Sequence, residues 1–76
     1  MKLNEAIEWG RAGRWQDAQV RVSPSNREQW FVMLRDTLQK SFILVDNDDS
    51  PIVTADANEL LSVIRSLGLK EVTFFL

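Results

Sequence analysis

The sequence contains no cysteine and no histidine among its 76 residues. Without cysteine the chain has no disulfide, no thiolate nucleophile and no thiolate metal ligand. Without histidine it lacks a preferred ligand of zinc and copper, and also the side chain that most often acts as a general base near neutral pH. These absences argue against transition-metal sites and nucleophilic catalysis, so we expect no cofactor, no metal and no enzymatic activity.

Glycine, proline and long apolar runs are also scarce. The three glycines, Gly10, Gly13 and Gly68, match neither a phosphate-binding loop nor a dinucleotide fingerprint. The longest apolar runs, at 30–34 and 42–45, fall far short of the roughly 20 residues that span a bilayer. The first residues lack the apolar segment of a signal peptide. We therefore expect a cytoplasmic protein without membrane association.

The composition is that of an ordinary small folded domain. Hydrophobic residues make up 45% of the chain and charged residues 26%, which is typical of globular domains. The length predicts a single domain over residues 1–76. The net charge of −2 is unlike that of proteins that neutralise phosphates, which are normally basic. We therefore expect a protein partner of unknown identity and rank nucleic acid below it.

Hydrophobic periodicity predicts two helices and four or five strands. The predicted elements in chain order are a helix over 4–12, strands over 14–22, 28–35 and 41–46, a short optional strand over 51–54, a helix over 56–67 and a strand over 70–76. A turn over 23–26 joins the first two strands. The order α-β-β-β-(β)-α-β predicts an α+β domain, a two-layer sandwich with a mainly antiparallel sheet and both helices on one face.

The second helix has the clearest signals. Its apolar stripe at helical spacing consists of Ala57, Leu60, Leu61, Ile64 and Leu67. Asp56 followed by Glu59 predicts a capped start, and Gly68 predicts a left-handed residue just after the end. The first helix has weaker signals, with Asn4 as the expected N-cap and Gly13 as the expected stop.

Three strands are apolar on both faces, which two short helices cannot both cover. We expect the exposed face to carry Trp15, Phe31, Met33, Ile43, Val45 and Phe75. An exposed apolar patch of this kind marks an interface. The leading hypothesis is a non-enzymatic regulatory or accessory protein, of the kind found in bacteria and phages, that binds another protein through this face and also forms a homodimer there.

Two alternatives use charged residues. Basic residues interleaved with aromatics are typical of platforms for single-stranded nucleic acid, and the candidates in this chain are Trp9, Arg11, Arg14, Arg21 and Arg27. An acidic patch that resembles phosphates would suit an inhibitor of a nucleic-acid-processing complex, and its candidates are Asp46, Asp48, Asp49 and Asp56. We interpret the aspartates at 46–49 as a solvated hairpin tip, because a calcium loop starting at Asp46 would require glycine and glutamate where the chain has Pro51 and Ala57.

Overall fold

Two helices and four strands make up the described part of the chain. The computed structural model describes residues 1–25, 28–50 and 52–75. The elements are α1 (Leu3–Arg11), β1 (Trp15–Val22), β2 (Trp30–Asp36), β3 (Ser41–Ile43), α2 (Ala57–Ser66) and β4 (Thr73–Phe75). This content and order confirm the predicted α+β class.

The strands form one mixed sheet in the order β3-β2-β1-β4. β2 pairs antiparallel with both β1 and β3, as successive hairpins do. β4 pairs parallel with β1, so the chain between β3 and β4 crosses the sheet and includes α2. The sheet is therefore mostly antiparallel, and its last strand returns beside the first.

Several strands are shorter than their patterns predict. β3 ends at Ile43 because the N–H of Val45 donates to the carbonyl oxygen of Met1, 2.9 Å away, and the chain there pairs with Lys2. In the segment 52–54 only Thr54 pairs, in an isolated bridge to Trp30. Asn26 of the predicted turn, Pro51 of the optional strand and Leu76 of the last strand lie outside the described residues.

Buried side chains from both helices and from the strands belong to one core. Its members are Ala6, Trp15, Ala18, Val20, Val32, Leu34, Leu44, Leu60, Ile64 and Leu67. On β1 and β2 the buried residues alternate with less buried ones, as expected for strands packed on one face. This shared core is compatible with the predicted placement of both helices on one face of the sheet.

Helix α2 begins and ends as its sequence predicts. Oδ1 of Asp56 accepts hydrogen bonds from the backbone N–H groups of Asn58 and Glu59, which leaves fewer unsatisfied donors in the first turn. Gly68 follows the helix with φ +80°, a conformation that glycine adopts at little cost. For α1 the prediction of Asn4 as N-cap is wrong, since the helix begins at Leu3 after Lys2.

The two helices meet where Gly10 of α1 touches the chain at the end of α2. A Cβ atom built on Gly10 would lie 2.2 Å from the carbonyl oxygen of Leu67 and 2.9 Å from its carbonyl carbon. Both are backbone atoms, so they cannot move aside as the end of a flexible side chain would. Only glycine allows the helices to approach this closely.

The burial of the α2 stripe predicts unequal effects of truncation at neighbouring positions. Ile64 is buried and Leu61 only half-buried. We expect Ile64→Ala to lower the free energy of unfolding by about 2–5 kcal/mol through lost burial and the resulting cavity. We expect Leu61→Ala to lower it by about 1 kcal/mol. Urea denaturation of both variants measures the difference, and equal effects would contradict this orientation of α2.

The close approach at Gly10 predicts that Gly10→Ala destabilises the protein. An unconstrained helical glycine would give the opposite result, since alanine stabilises a helix by about 1 kcal/mol relative to glycine. Here we expect a net loss of about 1–3 kcal/mol, because the methyl group forces the helices apart. Thermal unfolding compares it with Ser62→Ala, a control at an exposed position of α2. A stabilised Gly10→Ala variant would show that the contact does not constrain the fold.

Candidate functional site

The strand register defines which residues share the sheet face opposite the core, here called the outer face. Ala18 and Val20 of β1 are buried in the core. Because successive side chains of a strand point to opposite faces, Gln19 and Arg21 point to the other side of the sheet. Register then assigns the same side to their partners on the neighbouring strands. The outer face consists of Asp17, Gln19, Arg21, Phe31, Met33, Arg35, Ser41, Ile43, Thr73 and Phe75.

Four of the residues predicted to be exposed lie together on this face. Phe31 and Phe75 flank Arg21 on the strands to either side, and Met33 pairs with Ile43 in the adjacent row. Ile43 is 51% exposed and Phe75 41% exposed, while Phe31 and Met33 are half-buried. These four side chains, here called the apolar patch, lie on β2, β3 and β4, and Arg21 of β1 separates Phe75 from Phe31.

The prediction that Trp15 lies on the exposed face is wrong. Trp15 is only 8% exposed, and its indole N–H donates to the carbonyl oxygen of Ala6, 2.8 Å away. The cause is an irregularity in the ladder: Trp15 pairs with Asp36 and Asp17 with Arg35, so Gln16 is an extra residue. Such a bulge changes the side to which the preceding residue points, and strict alternation could not reveal it.

Val45 lies at the margin of the fold and not within the patch. It follows buried Leu44, is half-buried itself and pairs with Lys2 beyond the end of β3. Its main chain is fixed by the N-terminal segment, since its N–H donates to Met1. The outer face as defined by strand register therefore ends at Ile43 on this side.

The charged residues of the outer face differ in their pairing. Nη2 of Arg35 lies 2.5 Å from Oδ2 of Asp17, so these two opposite charges neutralise each other. The guanidinium of Arg21 donates to Oε1 of Gln19 through Nε at 3.2 Å and Nη2 at 2.8 Å. Its Cζ lies 4.4 Å from the ring centre of Phe75, a cation–π distance. Arg21 is thus a cation set among aromatic and apolar side chains.

The residues proposed for nucleic-acid binding do not share one surface. Trp9 packs against the core, with its ring centre 5.3 Å from those of Trp15 and Phe42, and Arg14 lies over it at 3.6 Å. Arg11 pairs with Glu8 at 3.0 Å on α1. Arg21 belongs to the outer face instead, and Arg27 lies outside the described residues. Trp9 therefore packs against the core and is not part of an open platform. The described basic residues lie on two sides of the molecule, with Arg21 on the outer face and Arg11 and Arg14 away from it.

The acidic residues proposed as a patch are engaged in local structure. Asp56 caps α2, and Asp49 lies 3.6 Å from Nζ of Lys2. Oδ1 of Asp46 accepts from the N–H of Asn47, next in the chain. The backbone N–H of Ser50, and then its hydroxyl, lower the pKa of Asp48 by stabilising its carboxylate. These bonds are typical of a hairpin turn.

Within the described part of the chain these residues form no metal-binding cluster, and a shallow depression lies close to the outer face. Among residues 1–25, 28–50 and 52–75, no three carboxylates come together in a group that could hold a metal ion. A shallow depression of about 240 Å³ beside the bulge is lined by Gln16, Asp17, Leu69, Lys70 and Glu71. Ligand pockets are usually larger, about 300–1,000 Å³, and mostly apolar. The outer face is therefore the more distinctive surface.

Comparisons with protein-family models, with curated proteins and with solved structures find no match for this chain. Neither helix in the described part of the chain has the length and apolar character needed to cross a bilayer. The candidate site therefore rests on the geometry of the chain itself.

The loop geometry predicts weak cation binding. The carboxylates of Asp46, Asp48 and Asp49 serve hydrogen bonds and an ion pair at the hairpin tip and do not converge. We expect calorimetric titration with calcium, manganese and zinc to show no stoichiometric site tighter than micromolar. A tighter site abolished by Asp48→Asn would show that these carboxylates rearrange around an ion.

Proposed function

We propose that this chain acts by binding another protein through its outer face and that it has no catalytic activity. The observation that carries the proposal is that Phe31, Met33 and Ile43 are neighbours on β2 and β3, and that Phe75 lies on the same sheet face, across Arg21. Exposed apolar side chains occur singly on most proteins, but a group that shares one sheet face is typical of an interaction surface.

The form of the surface supports the same proposal. A sheet face is nearly flat and its backbone is already ordered by the ladders, so binding would require little ordering of the main chain. Phenylalanine, methionine and arginine are among the residue types that are enriched at protein interfaces. Phe31, Arg21 and Phe75 lie next to one another in the sheet.

A second copy of the chain is one candidate partner for this face, as the sequence analysis predicts. Packing two outer faces together would be an isologous contact about a two-fold axis. A single sheet face buries a small area, so such a dimer would depend on concentration. Sedimentation velocity over a concentration series detects it directly.

The proposal predicts that polar substitutions on the outer face abolish binding without unfolding the protein. Ile43→Ser and Phe75→Ser together remove the two most exposed apolar groups of the patch. The wild-type chain, immobilised and used to select from a library of random displayed peptides, should retain binders that the double variant does not retain. Circular dichroism should show both proteins folded.

The control is Leu38→Ser, which removes an apolar residue that is 70% exposed but lies in the turn between β2 and β3. We expect this variant to bind the selected peptides like wild type. Peptides that bind the double variant equally well would contradict the outer face as the binding surface. Self-association that the double variant loses and Leu38→Ser keeps would identify a second copy as the partner.

A further inference from the structure

The position of Arg21 restricts what can cover the outer face. Arg21 lies between Phe31 and Phe75 in the sheet, and its guanidinium is close to the ring of Phe75. Arg21 is not among the ion pairs of the described residues, which are Lys2 with Asp49, Arg11 with Glu8, and Arg35 with Asp17. In the free protein Arg21 is only half-buried, so part of this charged side chain is accessible to water.

A partner that covers the patch removes that water. Leaving a charge buried without a counter-charge is costly, and its cost can exceed the gain from burying the neighbouring apolar groups. A purely apolar partner surface would therefore bind poorly over Arg21. A partner with an anionic group at this point both compensates the charge and gains a charge-assisted hydrogen bond.

The guanidinium has donors available for such a group. Two of its N–H donors point to Oε1 of Gln19, and arginine has five in a planar fork that matches a carboxylate. The amide of Gln19 and the ring of Phe75 hold this fork in place on the sheet. Apolar side chains lie one strand away on both sides, at a spacing of about 5 Å.

The described residues of a second copy's outer face offer no unpaired anion. The only carboxylate that strand register places on the described outer face is Asp17, which is already paired with Arg35. Packing two such faces against each other would also bury two Arg21 side chains, which carry the same charge. Charge complementarity thus favours a different chain over self-association.

Building on the proposed function, we infer that the partner presents an acidic side chain flanked by apolar ones, with its carboxylate bound by Arg21. Its apolar side chains contact Phe31 and Phe75 on either side and extend toward Met33 and Ile43. The binding site thus recognises an acidic and apolar segment of another protein.

The test uses the full chain and the peptides selected from the random library. We expect the selected sequences to be enriched in aspartate or glutamate next to leucine, isoleucine or aromatic residues. Arg21→Gln should weaken their binding by about tenfold or more, the effect of losing one charge-assisted contact. Arg21→Lys should restore part of it, because it keeps the charge without the planar fork. The matched control is Arg11→Gln, at an exposed position of α1 away from the outer face, and this variant should bind like wild type.

Other outcomes separate this inference from the proposed function. In one outcome the selected peptides show no acidic enrichment and bind Arg21→Gln like wild type, but they do not bind the double variant Ile43→Ser and Phe75→Ser. This result would overturn the inference and leave the proposed function intact. Recovery of no peptide, or of peptides indifferent to the face variant, would overturn both. Tighter binding of oligo-dT, lost in Arg21→Gln and in the face variant, would identify a nucleic-acid platform instead.

Discussion

The two helices of the described chain have only nine and ten residues, too few to cover both faces of a four-stranded sheet. The rest of the structure depends on this constraint. A sheet must bury at least one apolar face, and buried side chains of both helices belong to the same core as those of the strands. The described chain provides no further helix for the opposite face. The apolar residues there, with Ile43 and Phe75 the most exposed of them, are therefore left in contact with solvent.

The bulge in β1 determines that Trp15 belongs to the core and not to the surface. The extra residue Gln16 turns Trp15 into the core, where its indole bonds to Ala6 and its ring lies 5.9 Å from that of Phe42. Trp15 thereby connects α1 to β1 and to β3. Had the ladder continued without the bulge, this large side chain would have joined the outer face, and α1 would have lost its anchor.

The parts of the fold that could be predicted are those in which local pattern and tertiary packing agree. Helix α2 has a complete apolar stripe and signals at both ends, and the pattern of β2 places alternate residues such as Val32 and Leu34 in the core. The outer positions of Phe31, Met33, Ile43 and Phe75 followed from the same alternation. The errors came from contacts distant in sequence. The position of Trp15 depends on pairing with Asp36, and the end of β3 depends on Met1.

The contact between Gly10 and Leu67 also has a consequence for comparing this chain with others. Exposed residues outside the binding surface can change without loss of the fold, so overall identity falls quickly between diverging sequences. A position at which a Cβ atom would clash with backbone atoms changes far more slowly. A glycine in the last turn of the first helix, together with the positive-φ glycine that follows the second, would therefore be a more durable marker of common descent than the composition of the binding surface.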